Sequence, residues 1–497
     1  MTKGIGRRAL SGISWTLFGA LVSNVLRVAV LAIISRLLTK HDIGITTGAL
    51  VVVMFALRFR ELGIGLALIQ RKEIDHKHIT TTYGFTMAMG ALLAVGVFGC
   101  AAPLARLFKA SEGVAIIQLL SVMFLLRGVT AGSQFMLHRE LKFRELAMVD
   151  VLSYTAGSLA SIVLAFRGWG PWALAIGYVV EATVECALTL WVRPPLGLPK
   201  IHWSALRQLL AFGGGQTLAS FGNYFANQGD YLVVGNQLGP SALGVYSRAY
   251  EVMRFPAALF TSVAGSVLFS VFSRLQDDRH RLGDMYRRVL FAIAIVLLPA
   301  SAGLIVLAPE AIRTLLGPNW DGAVLPFQIM AVSMMFRTSY KASGLVARSA
   351  SAVYRVALSQ ATYAAFVVLG AAAAVHWGIV GVSITTGAAV IFHFLGLTRL
   401  ALQQVSIGWR SVLMAHVDGL IAAALAIALA LPMAVFLRSV AAPAGVTIAA
   451  TTVSGLVLPA VFVMVRLRTH HPDWVWLRER VQQAVKRRIQ SRAPMQG

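Results

Sequence analysis

Long apolar runs recur from residue 13 almost to residue 466, separated by short stretches that hold most of the Lys, Arg, Pro and Gly. A helix needs roughly 20 mostly apolar residues to cross a hydrocarbon core of about 30 Å, so each run predicts a membrane span. In the first half of the chain, spans are expected at 13–35, 43–60, 81–102, 114–136, 147–166 and 171–192. After a Pro/Gly-rich break they are expected at 209–236, 242–272, 289–308, 322–346, 352–375, 378–400, 412–437 and 444–465. The reading is an all-α integral membrane protein of about fourteen transmembrane helices. The opening "MTKGIGRRALSG" is basic and lacks an A-x-A cleavage site, which predicts a retained first helix and not a signal peptide.

Composition agrees with the pattern. Of 497 residues, 57% are hydrophobic and 13% charged, against about 25% charged in an ordinary soluble domain. The formal charge of +24 would suggest nucleic acid in a soluble chain. In a membrane protein, excess Lys and Arg first reports orientation and contact with anionic lipid, so nucleic acid is not expected as a partner. The two cysteines, Cys100 and Cys186, lie in apolar runs and offer neither ligand spacing nor a disulfide framework.

The stretch "RFRELGIGLALIQRKEIDHKH" (58–78) runs straight from an apolar segment into a basic cluster, and the span count decides which side that cluster faces. Dividing the cations between spans by face puts thirty on the side of both termini and seven on the other. Lys and Arg accumulate on the cytoplasmic side. Both termini and the segment containing Gln70, Arg71 and Lys72 are therefore expected in the cytoplasm, with the chain in the bacterial inner membrane.

A shift of 200 residues lays "LTKHDIGITTGA" (38–49) over "LGPSALGVYSRA" (238–249), superposing Leu38 on Leu238, Gly44 on Gly244 and Ala49 on Ala249. Ala102-Pro103 recurs as Ala308-Pro309, and Trp169-Gly170 as Trp377-Gly378. Such a repeat predicts two six-helix lobes in parallel orientation around a central cavity, residues 1–192 and 209–400, with two further helices over 401–465. The linker 193–208 carries Trp203, Leu206, Leu209 and Leu210 on a short amphipathic face expected on the cytoplasmic surface. The tail 466–497 sets Trp474, Leu477, Val481 and Val485 opposite Arg and Lys, as in a helix resting on anionic headgroups.

Charge inside a span is costly and marks a cavity or a partner. Span 1 carries Thr16, Ser23, Asn24 and Arg27 at helical spacing; its repeat, span 7, carries Gln216, Ser220, Asn223, Asn227 and Asp230. Span 4 holds Arg127, span 8 holds Arg248, Glu251 and Arg254, and span 10 holds Arg337 and Lys341. The acids at depth are Asp150, Glu181, Glu185, Asp230, Glu251 and Asp418. A cavity lined by both signs is expected, with a cationic cluster on spans 1, 8 and 10. Arginine suits phosphate because its planar fork binds two oxygens and never deprotonates. Glu251 fits an ion pair with Arg248 and Arg254 along one helix, whereas Arg27 has no acid within a turn. Glu181 and Glu185 fit either a proton relay or pairing with a base on a neighbouring helix, and the amides fit either sugar hydroxyls or interhelical hydrogen bonds. His393 fits helix packing. No metal-ligand, nucleotide-binding or nucleophile motif occurs in a workable context, so neither a metal nor a cofactor is expected, and no catalytic residue is assigned.

The stretches "LTKHDIGI", "RELGIGLALIQRKEI", "HRELKFRELA", "NQGDYLVVGNQLGPSALGVYSRAYEVMRFP" and "LFSVFSRLQDD" resemble the polysaccharide-exporting branch of the multidrug/oligosaccharidyl-lipid/polysaccharide superfamily, which includes the Wzx-type flippases. The resemblance covers most of the chain and weakens in the last two spans and tail. It implies movement of an undecaprenyl-diphosphate-linked oligosaccharide from the cytoplasmic to the periplasmic leaflet for O-antigen, capsule or exopolysaccharide assembly, with the polymerase and chain-length machinery as partners and a single chain sufficient. It also implies that Arg27 and Arg254, on helices matching the arginine-bearing first and eighth helices of related lipid II flippases, contact the diphosphate. Coupling to H+ or Na+ through Asp150, Glu181, Glu185, Asp230 or Asp418 stays open. The rivals are a cation-coupled multidrug exporter of the same superfamily and a membrane polysaccharide polymerase or ligase. The first calls for an acid-dominated cavity, and the second for large extramembrane loops that this chain lacks.

Overall fold

The computed structural model describes residues 19, 22–71, 73–349, 353–469, 471–479 and 482; among these, the side chains of 61, 212–219, 257–271, 273–274 and 353 are outside the description. The described residues contain helices and no strand, as a hydrocarbon environment requires when every backbone polar group must be satisfied within its own segment. In chain order the helices are α1 (22–37), α2 (Lys40–Glu61), α3 (Ile64–Gln70), α4 (His76–Gly99), α5 (Ala101–Arg106), α6 (Gly113–Arg139), α7 (Phe143–Phe166), α8 (Pro171–Val192), α9 (Trp203–Leu238) and α10 (Pro240–Arg274). They continue with α11 (Arg279–Val306), α12 (Ala308–Leu315), α13 (Val324–Val332), α14 (Met334–Ser349), α15 (Val353–Ala374), α16 (Gly378–Leu402), α17 (Trp409–Ser439), α18 (Ala444–Leu467) and a short α19 over 472–479.

Over the described residues, each expected span falls mainly on helix. The expected span 322–346 is broken at Ser333 into α13 and α14. Among the described residues, nine stretches are helical, long and apolar enough to cross a membrane, one of them (Tyr354–Leu402) taking in both α15 and α16. The chain is a multi-pass, all-α membrane protein.

Local chemistry sets several boundaries. Thr39 caps α2 in a reciprocal capping box with Asp42, Asp278 accepts from the amides of His280 and Arg281 at the start of α11, and Pro171 opens α8 where its missing N–H costs nothing.

Chain contacts define two units. The first comprises Met1–Ser266, Leu315–Met330 and Val353–His393; the second comprises Val267–Thr314, Ala331–Ala352 and Phe394–Gly497. In the first, α2 and α10 cross at their N-terminal ends. A Cβ built on Gly44 would lie 2.9 Å from the Pro240 Cα and nearer still to its carbonyl oxygen; one on Gly244 would lie 3.0 Å from the Lys40 carbonyl carbon and nearer still to its oxygen. The two glycines are the pair superposed by the 200-residue repeat, and each packs on the residue four before the other. A second repeated contact joins Tyr83 of α4 to Ser133 of α6 at 2.8 Å and, inside the second unit, Tyr286 of α11 to Ser343 of α14 at 2.7 Å.

Two surface elements differ from expectation. The amphipathic linker is no separate surface helix: from Trp203 it is the start of α9, and Leu206 and Leu209 are buried against Ile64 and Ala67 of α3. The tail does not rest wholly on the surface either. Trp474 is fully buried beside Phe291 and Phe462, and its indole donates to Asp418 at 2.7 Å. Asp473 is buried with it, paired to Arg287. Val481 and Val485 lie outside the described residues.

Candidate functional site

Within the first unit, α1, α6, α7 and α8 enclose a cavity of about 440 Å³ lined by Asn24, Arg27, Arg127, His138, Asp150, Ser153, Glu181 and Glu185, among others. Its existence depends on close helix packing. Gly157 of α7 and Gly177 of α8 let these helices approach until a Cβ on Gly157 would lie 2.6 Å from the Glu181 Cβ, the small-residue contact by which membrane helices associate. That approach sets Glu181 beside α7 and, one turn on, Glu185 opposite α6.

Glu185 is the most fully engaged acid of the group. Its Oε1 accepts from Gln134 Nε2 at 2.6 Å, and Arg127 Nη2 lies 3.8 Å from its Oε2. The Arg27 guanidinium stands 4.5 Å from the centre of the Tyr154 ring, a cation–π contact that holds the cation without neutralising it. Two guanidiniums thus share one intramembrane space with three carboxylates. Such a set can receive anionic oxygens on the arginine forks while Glu185 orients Arg127.

The sequence named Asn24, Arg27, Arg127, Asp150, Glu181 and Glu185, and the structure brings all six to this cavity. It missed Gln134, His138 and Tyr154. Their signal was present: Arg127, Gln134 and His138 are seven and four residues apart on α6, and Asp150 and Tyr154 four apart on α7, so each set shares a helix face.

The other expected residues lie elsewhere. Arg248 is ion-paired with Glu251 on α10, and Arg254 lies over the Tyr250 ring at 5.7 Å; neither lines this cavity. Arg337 and Lys341 belong to α14 in the second unit. Asn227 donates to the Asn223 backbone and side chain. Asp230 is buried and accepts from Tyr246 at 2.7 Å and from the Tyr231 amide. Asp418 is held by Arg466 at 2.6 Å and by Trp474. The Gln216 side chain and Lys72 lie outside the described residues. Gln70 ends α3, whose last carbonyls, those of Leu68 and Ile69, accept from Arg139 together with the Arg71 carbonyl. Arg71 reaches Gln208 of α9 at 3.1 Å and His78 at 3.2 Å. The Gln70-Arg71 motif thus closes a joint between α3, α4 and α9.

Residues 33–325 match a family model described as polysaccharide biosynthesis protein. The chain belongs to this family. Among its relatives is the lipopolysaccharide biosynthesis protein WzxC of Escherichia coli K12, 26% identical over 339 residues, covering 67% of this chain and 68% of that one. The succinoglycan biosynthesis transport protein ExoT of Rhizobium meliloti is 25% identical over 336 residues, with 67% and 68% covered. The solved structure of the lipid II flippase MurJ, in an inward closed conformation, superposes with a TM-score of 0.70, covering 93% of this chain and 98% of that one at 12% identity. Family membership rests on the sequence match. The likeness to MurJ establishes the all-helical fold alone.

Proposed function

We propose that this protein moves undecaprenyl-diphosphate-linked oligosaccharide repeat units from the cytoplasmic to the periplasmic leaflet of the inner membrane, by alternating access, for surface polysaccharide assembly. The observation that carries the reading is the intramembrane cavity in which Arg27 and Arg127 face Asp150, Glu181 and Glu185, in a chain of a polysaccharide biosynthesis family with a flippase fold. A diphosphate presents paired anionic oxygens, and a guanidinium fork binds such oxygens bidentately. Glu185 pairs with Arg127. When the diphosphate takes its place, the displaced carboxylates accept a proton or a cation, which ties movement to an ion gradient. Arg254 of the same unit supplies further positive charge, the glycan occupies the hydrated interior, and the prenyl chain stays in lipid. The protein is a transporter and not an enzyme. One chain suffices, and polymerase and chain-length proteins act on what it delivers.

The test is leaflet-specific accessibility of a lipid-diphosphate oligosaccharide in proteoliposomes. Arg27→Ala and Arg127→Ala are each expected to slow transfer at least about tenfold, since a charge-assisted contact contributes roughly 1.5–3 kcal/mol. Efflux of small organic cations with no movement of lipid-linked glycan would instead establish the multidrug reading.

A further inference from the structure

A second cavity lies in the same unit, where α1 ends, α2 and α10 begin and a short 3-10 turn (Pro318–Ala323) covers them; it measures about 840 Å³. Arg36, Lys40, His41, Ser241, Asn319 and Asp321 line it. Trp320 forms a buried wall and ties the turn to α1 through a 2.8 Å bond from its indole N–H to the Ser35 carbonyl. The Thr39–Asp42 capping box fixes the backbone on which Lys40 and His41 stand. The floor is the α2/α10 crossing itself, because the Lys40 carbonyl is the group on which Gly244 packs.

We infer that this groove binds acidic saccharide, the carboxylate-bearing sugars of the transported glycan, on the outward face of the protein. The inference rests on the orientation in the proposed function, which places residues 36–41 in the periplasm. Cations are depleted on that face; of the seven allotted there by the sequence, two, Arg36 and Lys40, meet in this one groove. Its volume lies in the range of sites for molecules much larger than one phosphate, about 300–1,000 Å³. Its chemistry is also mixed: beside the cations stand a hydroxyl, an amide and the Asp321 carboxylate, which can accept from sugar hydroxyls but would repel a phosphate. Glu112 lies 3.5 Å from His41, and the recognition is assigned to Lys40 and Arg36, whose cations need no protonation at neutral pH.

The full-length protein in phospholipid nanodiscs is titrated with trigalacturonate, with neutral maltotriose and with inorganic pyrophosphate, following binding by ligand-detected NMR. Trigalacturonate is expected to bind, and about tenfold or more weaker to Lys40→Glu, as loss of a charge-assisted contact implies, and to Ser241→Trp, which fills the groove without changing its charge. Lys40→Gln replaces Lys40→Glu if the latter fails to fold, with a weakening of the same direction. Equal binding of maltotriose, binding of pyrophosphate that exceeds that of trigalacturonate and is lost in both groove variants, or wild-type affinity in both groove variants overturns the inference. Lipid-linked transport is measured on the same preparations. Transport in the wild type with groove variants that bind trigalacturonate normally refutes the groove alone; groove-dependent binding without any transport refutes the proposed function and leaves the groove as an acidic-saccharide site.

Discussion

Glu185 and Asp230 are both acids inside spanning helices, and their surroundings separate them. Asp230 accepts a phenol O–H from Tyr246 and a backbone amide from Tyr231, and a neutral amide can still accept the first of these. Asp230→Asn is therefore expected to keep transport and lose about 1 kcal/mol of stability, the worth of a weakened hydrogen bond, as read by thermal unfolding in detergent. Glu185 instead faces Arg127, and removing its charge leaves a guanidinium with less compensation. Glu185→Gln should melt lower than the wild type and should gain more in melting temperature on adding the lipid-diphosphate, because a ligand that binds only the folded state stabilises in proportion to its affinity. Equal ligand-induced shifts in the two proteins would show that Arg127 does not meet the diphosphate. The sequence revealed that both acids lie at depth; it could not show which had local donors, since Tyr246 and Gln134 come from other helices.

At the scale of elements, the α2/α10 crossing and the α12/α17 clasp each make a prediction. Methyl groups at Gly44 and Gly244 cannot fit between backbones that already touch, so Gly44→Ala and Gly244→Ala should each part the helix ends. The cost expected is about 1–3 kcal/mol, as for overpacking, together with a longer spin-label distance between positions 40 and 241. In the second unit, Arg438 grips Glu310 through two bonds of 2.7 and 2.8 Å. Burial works to raise the Glu310 carboxyl, but these bonds and the nearby charges of Arg438 and Arg313 outweigh it and hold the group below the usual carboxylate range. A carboxylate with a depressed folded value stabilises above its unfolded value and loses that contribution as pH falls through the folded one. The melting temperature should therefore fall below about pH 4.5, with about 1 kcal/mol at stake for so exposed an arginine. In Arg438→Ala burial is opposed only by a backbone hydrogen bond and Arg313, and that acid-side loss should shrink. The glycine pair was legible in advance as part of a repeat, but the crossing it makes was not, because a repeat match does not show that the two copies touch. Nor was the start of α9. Pro194, Pro195 and Pro199 signal a linker, while the partners that bury Leu206 and Leu209 lie on α3, far away in the chain. The tail misled for the same reason, since Trp474 finds Asp418 only in the folded protein.

For the whole molecule, the decisive quantity is orientation, which sets the direction of transport and the side on which the acidic-saccharide groove opens. Among the described residues, ten of the fourteen expected spans fall on stretches long and apolar enough to cross a membrane, because length and apolarity are imposed by the bilayer on each helix alone. The thirty-to-seven division of cations is a statement about the chain as a unit and is tested as one. In a background with Cys100 and Cys186 replaced by serine, single cysteines are placed at Leu198, which is exposed in the linker before α9, and at Asn319 in the turn over the groove. A membrane-impermeant maleimide applied to intact cells should label position 319 at once and position 198 only after permeabilisation. The fourteen-span reading places three crossings, α9, α10 and α11, between these positions, and an odd number of crossings requires opposite sides. Labelling of both positions from one side would therefore remove a span from that reading. Labelling of 198 alone from outside would invert the molecule, put Arg36 and Lys40 in the cytoplasm and turn the groove from a site that receives the glycan into one that meets it before transport.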